Sequence, residues 1–241
     1  MRMRFCFALI ATLAPALATA EPVSLQSTGA PGTLSDIPSN CAPIYLHADA
    51  TYESGVSWRT GGVHAPYYGA FAEQYQGAKS ICAFVADLTQ DGPFEDGQTA
   101  DFYLWDNAVG ESGDIPGNVL YVLYDFSPWP IAFWPNVSRI LVPLPAAVNV
   151  SGSWWAGVWG NWPGEPNAWY LAADTNGPST HVPMTDIIAS GFPPNWQPVA
   201  SVWSTVVAVG IGVEAVPLTP SGVPDAPIVV GSFGRVKSLY R

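Results

Sequence analysis

"SGSWWAGVWGNWPGEPNAWYLAADTNGP", Ser151 to Pro178, holds five of the eleven tryptophans of the chain: Trp154, Trp155, Trp159, Trp162 and Trp169. In a strand, successive side chains point to opposite faces. Over the first run, Trp155, Gly157 and Trp159 therefore share one face, and Trp154, Ala156 and Val158 share the other. In the second run, Trp169, Leu171 and Ala173 fall together and Tyr170 opposes them. The intervening "GNWPGEPN" is a proline–glycine turn. Two aromatic-rich strands around a turn must bury one face, so some of these rings are core whatever the chain does.

The same pattern recurs on both sides. "ICAFVADLT" (81–89) is apolar on both faces and predicts an interior strand. "TADFYLWDN" alternates, "VLYVLYDF" is rich in β-branched and aromatic residues, and "SRILVPL" reads as an edge strand because Pro143 lacks a ladder donor. "CAPIYLHADA" begins as a strand, and "SVWSTVVAVGIGVEAV" is the last, with Gly210 and Gly212 marking a bulge or close backbone approach. "DGPFEDGQ" and "GESGDIPGN" are turns, and "GGVHAPYYGAFAEQYQGAK" is expected to be a loop over one end of a sheet, since glycines bracket Ala70 to Tyr75 too tightly for the single helical turn it could otherwise form. About eight strands separated by turns predict an all-β, two-sheet antiparallel sandwich, jelly-roll-like. The expected organisation is a signal peptide at 1–20, an irregular segment at 21–40, the sandwich at 41–216, a Pro-rich linker at 217–228 and a basic tail at 229–241.

Export is the expected destination. Arg2 and Arg4, the apolar run Phe5 to Leu17 and the small residues Ala18-Thr19-Ala20 form a signal peptide cleaved after Ala20. No later stretch predicts a transmembrane helix. Losing Arg2 and Arg4 takes the eight basic residues to six against 19 acidic ones, a net charge near −13. Such a surface cannot neutralise phosphates, which argues against nucleic acid. The predicted location is secreted, periplasmic or cell-surface. Cys6 leaves with the signal. Cys41 and Cys82 remain, and an oxidising compartment predicts that they pair as a disulfide, worth up to about 4 kcal/mol in the chain-entropy picture.

Three kinds of candidate chemistry stand out. Trp159, Trp162 and Trp169, around the turn, are candidate stacking residues, since an indole offers a flat apolar face to a pyranose or a proline-rich peptide. Asp174 and Asn176 in "DTNGP" resemble part of a calcium loop without its later carboxylate, a pattern that Asx-turn chemistry explains equally well. His47, His64 and His181 are far apart and lack metal-ligand spacing, while His47, Asp49 and Glu53 would share a face if their strand continued. No nucleophile elbow is present, and the chain implies no cofactor beyond that possible calcium.

"GGVHAPYYGAFAEQY", "WPNVSRI", "GSWWAGVWGNWPG", "AADTNGP", "VGIGVE" and the ending "GRVKSLYR" resemble a family of uncharacterised secreted β-sandwich proteins of environmental bacteria. Where the family's tail carries Trp, this chain has Phe233. The resemblance implies export and a sandwich and assigns no catalytic residue. The leading functional expectation is a non-catalytic exported module that binds a glycan or another extracellular polymer through aromatic loops. The alternatives are a structural protein of the envelope or an extracellular assembly, and a glycoside hydrolase on the same sandwich.

Overall fold

The computed structural model describes residues 22–26, 33–35, 43–49, 51–58, 69–92, 99–111, 113–128, 130–161, 169–177, 181–186 and 196–218. The expected signal peptide, Cys41, His64, Trp162, the linker beyond Leu218 and the basic tail lie outside these residues. The strands are β1 (Pro22–Gln26), β2 (Thr33–Ser35), β3 (Ile44–Leu46), β4 (Ser54–Trp58), β5 (Ala70–Gln76), β6 (Lys79–Gln90), β7 (Thr99–Gly110) and β8 (Gly113–Phe126). They continue as β9 (Asn136–Val150), β10 (Ser153–Asn161), β11 (Trp169–Asp174), β12 (Met184–Asp186), β13 (Gln197–Pro198), β14 (Ala208–Val209) and β15 (Ile211–Pro217).

Two sheets pack face to face, as the alternation predicts. β4, β11, β6 and β9 lie side by side in one, and β5, β10, β7 and β8 in the other. That distribution of eight consecutive strands is a jelly roll. β1, β2, β3, β14 and β15 extend the first sheet, and β12 and β13 extend the second. All pairings are antiparallel except β2 with β9. Trp58, Phe84, Phe102, Leu88, Leu104 and Trp154 fill the interior, each at most 1% exposed. Burying a side chain of this size stabilises by about 1.5–3 kcal/mol. Three buried rings tie their polar atom to the other elements: Trp58 Nε1 donates to Thr185 Oγ1 at 2.9 Å, Trp154 Nε1 to the Gly77 carbonyl at 3.1 Å, and the Tyr75 hydroxyl to the Ile211 carbonyl at 2.6 Å.

The first sheet divides beside β6. β9 runs along one side of β6. Along the other side, β15 pairs with residues 79–86 and β11 with 88–90. Gly210 fills the fork between them. Its amide donates to the Ala172 carbonyl at 2.8 Å, and its carbonyl accepts from the Asp87 amide at 2.7 Å. A Cβ there would lie 2.7 Å from the Asp87 Cβ and 3.1 Å from the Asp87 carbonyl oxygen. The close approach expected at Gly210 is thus a strand changing neighbours, from β11 through β14 to β6 through β15.

Several expectations need correction. Residues 22–26 and 33–35, in the segment expected to be irregular, are strands of the first sheet. Ala70–Gln76 is neither loop nor helical turn but β5, with Phe71 and Tyr75 in the core. The alternation was hidden because the residue between them is Glu73, a charged side chain at a core position. β8 begins at Gly113, inside the stretch expected to be a turn. The long C-terminal run, Ser201–Val216, starts on the last residue of a 3-10 turn at Val199–Ser201, and its pairing begins only at Ala208. Within β6 a bulge at Cys82 puts Ile81 on the core side with Phe84, Ala86 and Leu88, against strict alternation.

Glu73 has no exposed surface. Its Oε1 accepts the Val209 amide of the opposite sheet at 2.7 Å, and its Oε2 has no partner among the described residues. Burial, offset in part by that amide and reinforced by Asp174, pushes its pKa from 4.5 to about 8. The folded state therefore holds a proton that the unfolded chain gives up. This contribution to stability is complete below the unfolded pKa and is lost as pH rises toward the folded value. Urea titrations should show stability falling by up to about 1.4 kcal/mol per pH unit between roughly pH 5 and pH 8. Glu73→Gln should flatten that fall, and an unchanged pH profile would refute the assignment. Gly210→Ala should lower stability by about 1–3 kcal/mol through overpacking at the fork. An unmoved urea midpoint would show that the fork tolerates a side chain.

Candidate functional site

The outward face of the six-stranded sheet carries a second aromatic layer. Cross-strand register builds it in rows. One row runs Asp186, Ala70, Trp159, Asp101 across β12, β5, β10 and β7. The next runs Met184, Ala72, Gly157, Tyr103, Val122 and ends on β8. A third contains Gln74, Trp155, Trp105 and Val119. Small residues in the middle let rings lie flat. A Cβ at Gly157 would come within 2.5 Å of the Trp105 ring, so Trp105 lies over the bare backbone.

Tyr103 is the hub of this layer. It stacks on Trp105 with ring centroids 4.9 Å apart and planes 6° apart. It meets Trp159 at 6.2 Å, tilted, and the edge of Tyr124 also at 6.2 Å. Trp196 meets Trp105 edge-on at 5.3 Å. Trp155 is buried, with its Nε1 donating to Asn107 Oδ1 at 2.9 Å. Tyr103 and Trp105 are also buried, Trp159 and Trp196 are half-buried, and Tyr124 is 53% exposed. The layer grades from enclosed to open toward β8.

Two carboxylates bracket Trp159. Asp101 Oδ1 accepts the Asp125 amide at 2.8 Å. Burial raises the pKa of Asp101 to about 6, opposed by that bond and aided by the charge of Asp125. Burial also raises Asp186 to about 6. Asp186 Oδ1 and Trp159 Nε1 are both shielded from solvent and have no partner among the described residues. A buried polar atom left unpaired costs about 1–3 kcal/mol. The backbones of the two acids stand three strand spacings apart, about 14 Å. They flank the indole on either side of it.

The structure separates the three tryptophans proposed for stacking. Trp159 lies on the outward face. Trp162 lies outside the described residues. Trp169 is no surface ring: it is 2% exposed and packs in the core with Leu171 and Ala173. Its alternation was read correctly, but its strand turns that face inward. With Trp58, Gly69, Phe71, Val158 and Gly160 it lines a cavity of about 20 Å³. That holds a water molecule and no sugar.

The "DTNGP" loop is built on Asp174. Its Oδ1 accepts the amides of Asn176 at 2.9 Å and Gly177 at 2.7 Å, and its Oδ2 accepts the Asp49 amide at 3.0 Å. This is Asx-turn chemistry, with three backbone amides taking up the carboxylate, while Asn176 faces solvent. Among the described residues no group of three or more His, Cys, Asp or Glu is placed to hold a metal ion. His47, Asp49 and Glu53 do not share a strand face, because β3 ends at Leu46. Instead the chain brings His47 against His181, with ring centroids 4.4 Å apart. The sequence points to Trp155 and Trp159 through alternation. It gives no sign of Tyr103, Trp105 and Trp196 as one layer, or of Asp186, because only cross-strand register joins them. No helix among the described residues is long and apolar enough to cross a membrane. No protein-family model, curated protein or solved structure matches the chain.

Proposed function

We propose that this chain is an exported, non-catalytic module that binds a glycan or a similar extracellular polymer on the outward aromatic face of its six-stranded sheet. The observation that carries this reading is the cluster of Tyr103, Trp159 and Tyr124, with Tyr124 53% exposed. Flat rings match the C–H face of a sugar. The unpartnered Asp186 Oδ1 and Trp159 Nε1 beside them supply one acceptor and one donor for hydroxyl groups. The acidic balance of the chain disfavours polyanions and favours an uncharged or amine-bearing polymer. The site therefore moves from the turn around Trp162 and Trp169 to the sheet face around Trp159.

A second reading, association between copies, draws on the edge strand β8, where Val119 is 46% exposed and Tyr124, five residues on, is exposed as well. Its uncharged "VLYVLY" leaves ladder groups open to another strand. Export and the likeness to secreted sandwich proteins belong to the same proposal. So does the Cys41–Cys82 disulfide. β3 stands two strands from β6, about 10 Å, and Cys41 is three residues upstream of Ile44, which gives the chain about that reach.

A glycan array probed with the exported protein should show binding to an uncharged or amine-bearing polysaccharide. Trp159→Ala and Tyr124→Ala should each weaken it about tenfold, roughly 1.4 kcal/mol. Absence of binding to every polysaccharide, or binding untouched by both substitutions, would sink the proposal. A concentration-dependent dimer in the first case would transfer support to β8. Mass spectrometry of non-reduced, exported protein should find Cys41 and Cys82 joined, and two free thiols would refute the pairing.

A further inference from the structure

Away from the aromatic face, four rings form a continuous series from surface to core. His181 meets His47 at 4.4 Å, His47 stacks on Tyr75 at 4.6 Å with planes 13° apart, and Tyr75 stacks on Trp154 at 5.0 Å. Tyr75 and Trp154 are core residues, while both histidines are half-buried. The two imidazoles arrive from different parts of the chain, His47 just after β3 and His181 just before β12.

The tautomer of His47 is set by its surroundings. Its Nε2 lies 2.7 Å from the carbonyl oxygen of Gln74, which can only accept. Nε2 therefore carries the proton and donates, leaving the Nδ1 lone pair free. This is the arrangement of a ligating histidine, whose second nitrogen is tied to a carbonyl that orients the ring and raises its basicity as a ligand. Burial, opposed by the bond to Gln74 and aided by His181, holds the pKa of His47 below its ordinary value of 6.5. Spacing agrees as well. Two imidazoles bound to one ion at about 2.0–2.1 Å, and about 90–110° apart, place their centroids about 4.5–5.5 Å apart. The observed 4.4 Å needs only a small rotation of the more superficial His181.

We infer that His47 and His181 form a two-histidine site for a divalent first-row transition metal ion. Imidazole pairs suit copper(II), nickel(II) and zinc(II) and do not suit calcium or magnesium, and the general order of affinity puts copper(II) first. With two protein ligands, water fills the remaining positions. Any activity or crosslink at such a site needs an added ligand, so the inference is limited to binding. It is independent of the polymer-binding reading, since it lies at the opposite end of β5 from Ala70 and Trp159.

The test is a titration of the untagged full-length protein with copper(II) in a glycine buffer that competes for loosely bound metal. One ion per chain should bind, with nitrogen hyperfine structure from two imidazoles in the electron paramagnetic resonance spectrum. His47→Gln and His181→Gln should each weaken binding at least about tenfold. His64→Gln, which replaces the remaining histidine of the chain, should leave it unchanged. Calcium should not compete. If His47→Gln fails to fold, His181→Gln at the surface carries the test alone. Binding that survives loss of His181, that disappears with His64, or that shows no imidazole nitrogens would overturn the site. So would the absence of binding above the glycine background.

Discussion

The fold depends on a strand changing partners where no side chain fits. At Gly210 the C-terminal strand leaves β11 and joins β6, held by the Ala172 carbonyl on one side and the Asp87 amide on the other. The Val209 amide, one residue before, is turned into the sandwich, where Glu73 of the opposite sheet accepts it. The fork thus requires two unusual residues, a glycine for space and a buried acid for an orphaned donor. The reward is a sheet wider than the jelly roll alone would make. β15 and β3 cover the part of β6 that β11 abandons, and Val213 and Ala215 complete the core there.

Outside that core, the outward face of the six-stranded sheet follows from the same register. Trp154, Ala156 and Val158 face the opposing sheet, so Trp155, Gly157 and Trp159 must face out. A neighbouring strand with Phe102 and Leu104 inside likewise turns Tyr103 and Trp105 outward. Two aromatic strands laid side by side therefore make two layers, one between the sheets and one upon them. The inner layer needs shape only. The outer layer has an open margin at Tyr124, acids at its border and, among the described residues, a polar ring atom without a partner.

Much of this was legible in the chain. The alternation around Trp154 and Trp159 assigned both faces correctly, and the density of short strands and turns announced a sandwich. What escaped has a common cause. β5 was taken for a loop because Glu73 breaks the apolar face between Phe71 and Tyr75, and only the Val209 amide of the other sheet explains an acid there. Ile81 changed sides because a bulge at Cys82 adds a residue to one strand. Trp169 looks like a companion of Trp159 because both flank one turn, yet β10 and β11 belong to different sheets, so Trp159 lies on the outward face of its sheet and Trp169 in the core between the two. The placing of Asp186 and Trp159 in one row and the contact of His47 with His181 join segments distant in sequence, for which a single chain gives no local sign.

Several indoles of the core and of the outer layer are held by hydrogen bonds within the protein. Trp58, Trp154 and Trp155 each donate to an acceptor within the protein, at 2.9, 3.1 and 2.9 Å. An indole fixed in this way is a packing element with a satisfied polar handle. Trp159 is packed against Tyr103 with equal care, but its nitrogen has no acceptor among the described residues, and the nearby Asp186 has an oxygen without a donor. Among the described residues, this donor and this acceptor stand open in one row of the sheet. Water or a hydroxyl-bearing ligand removes the cost, and the aromatic surface beside them supplies the apolar contact that such a ligand would share.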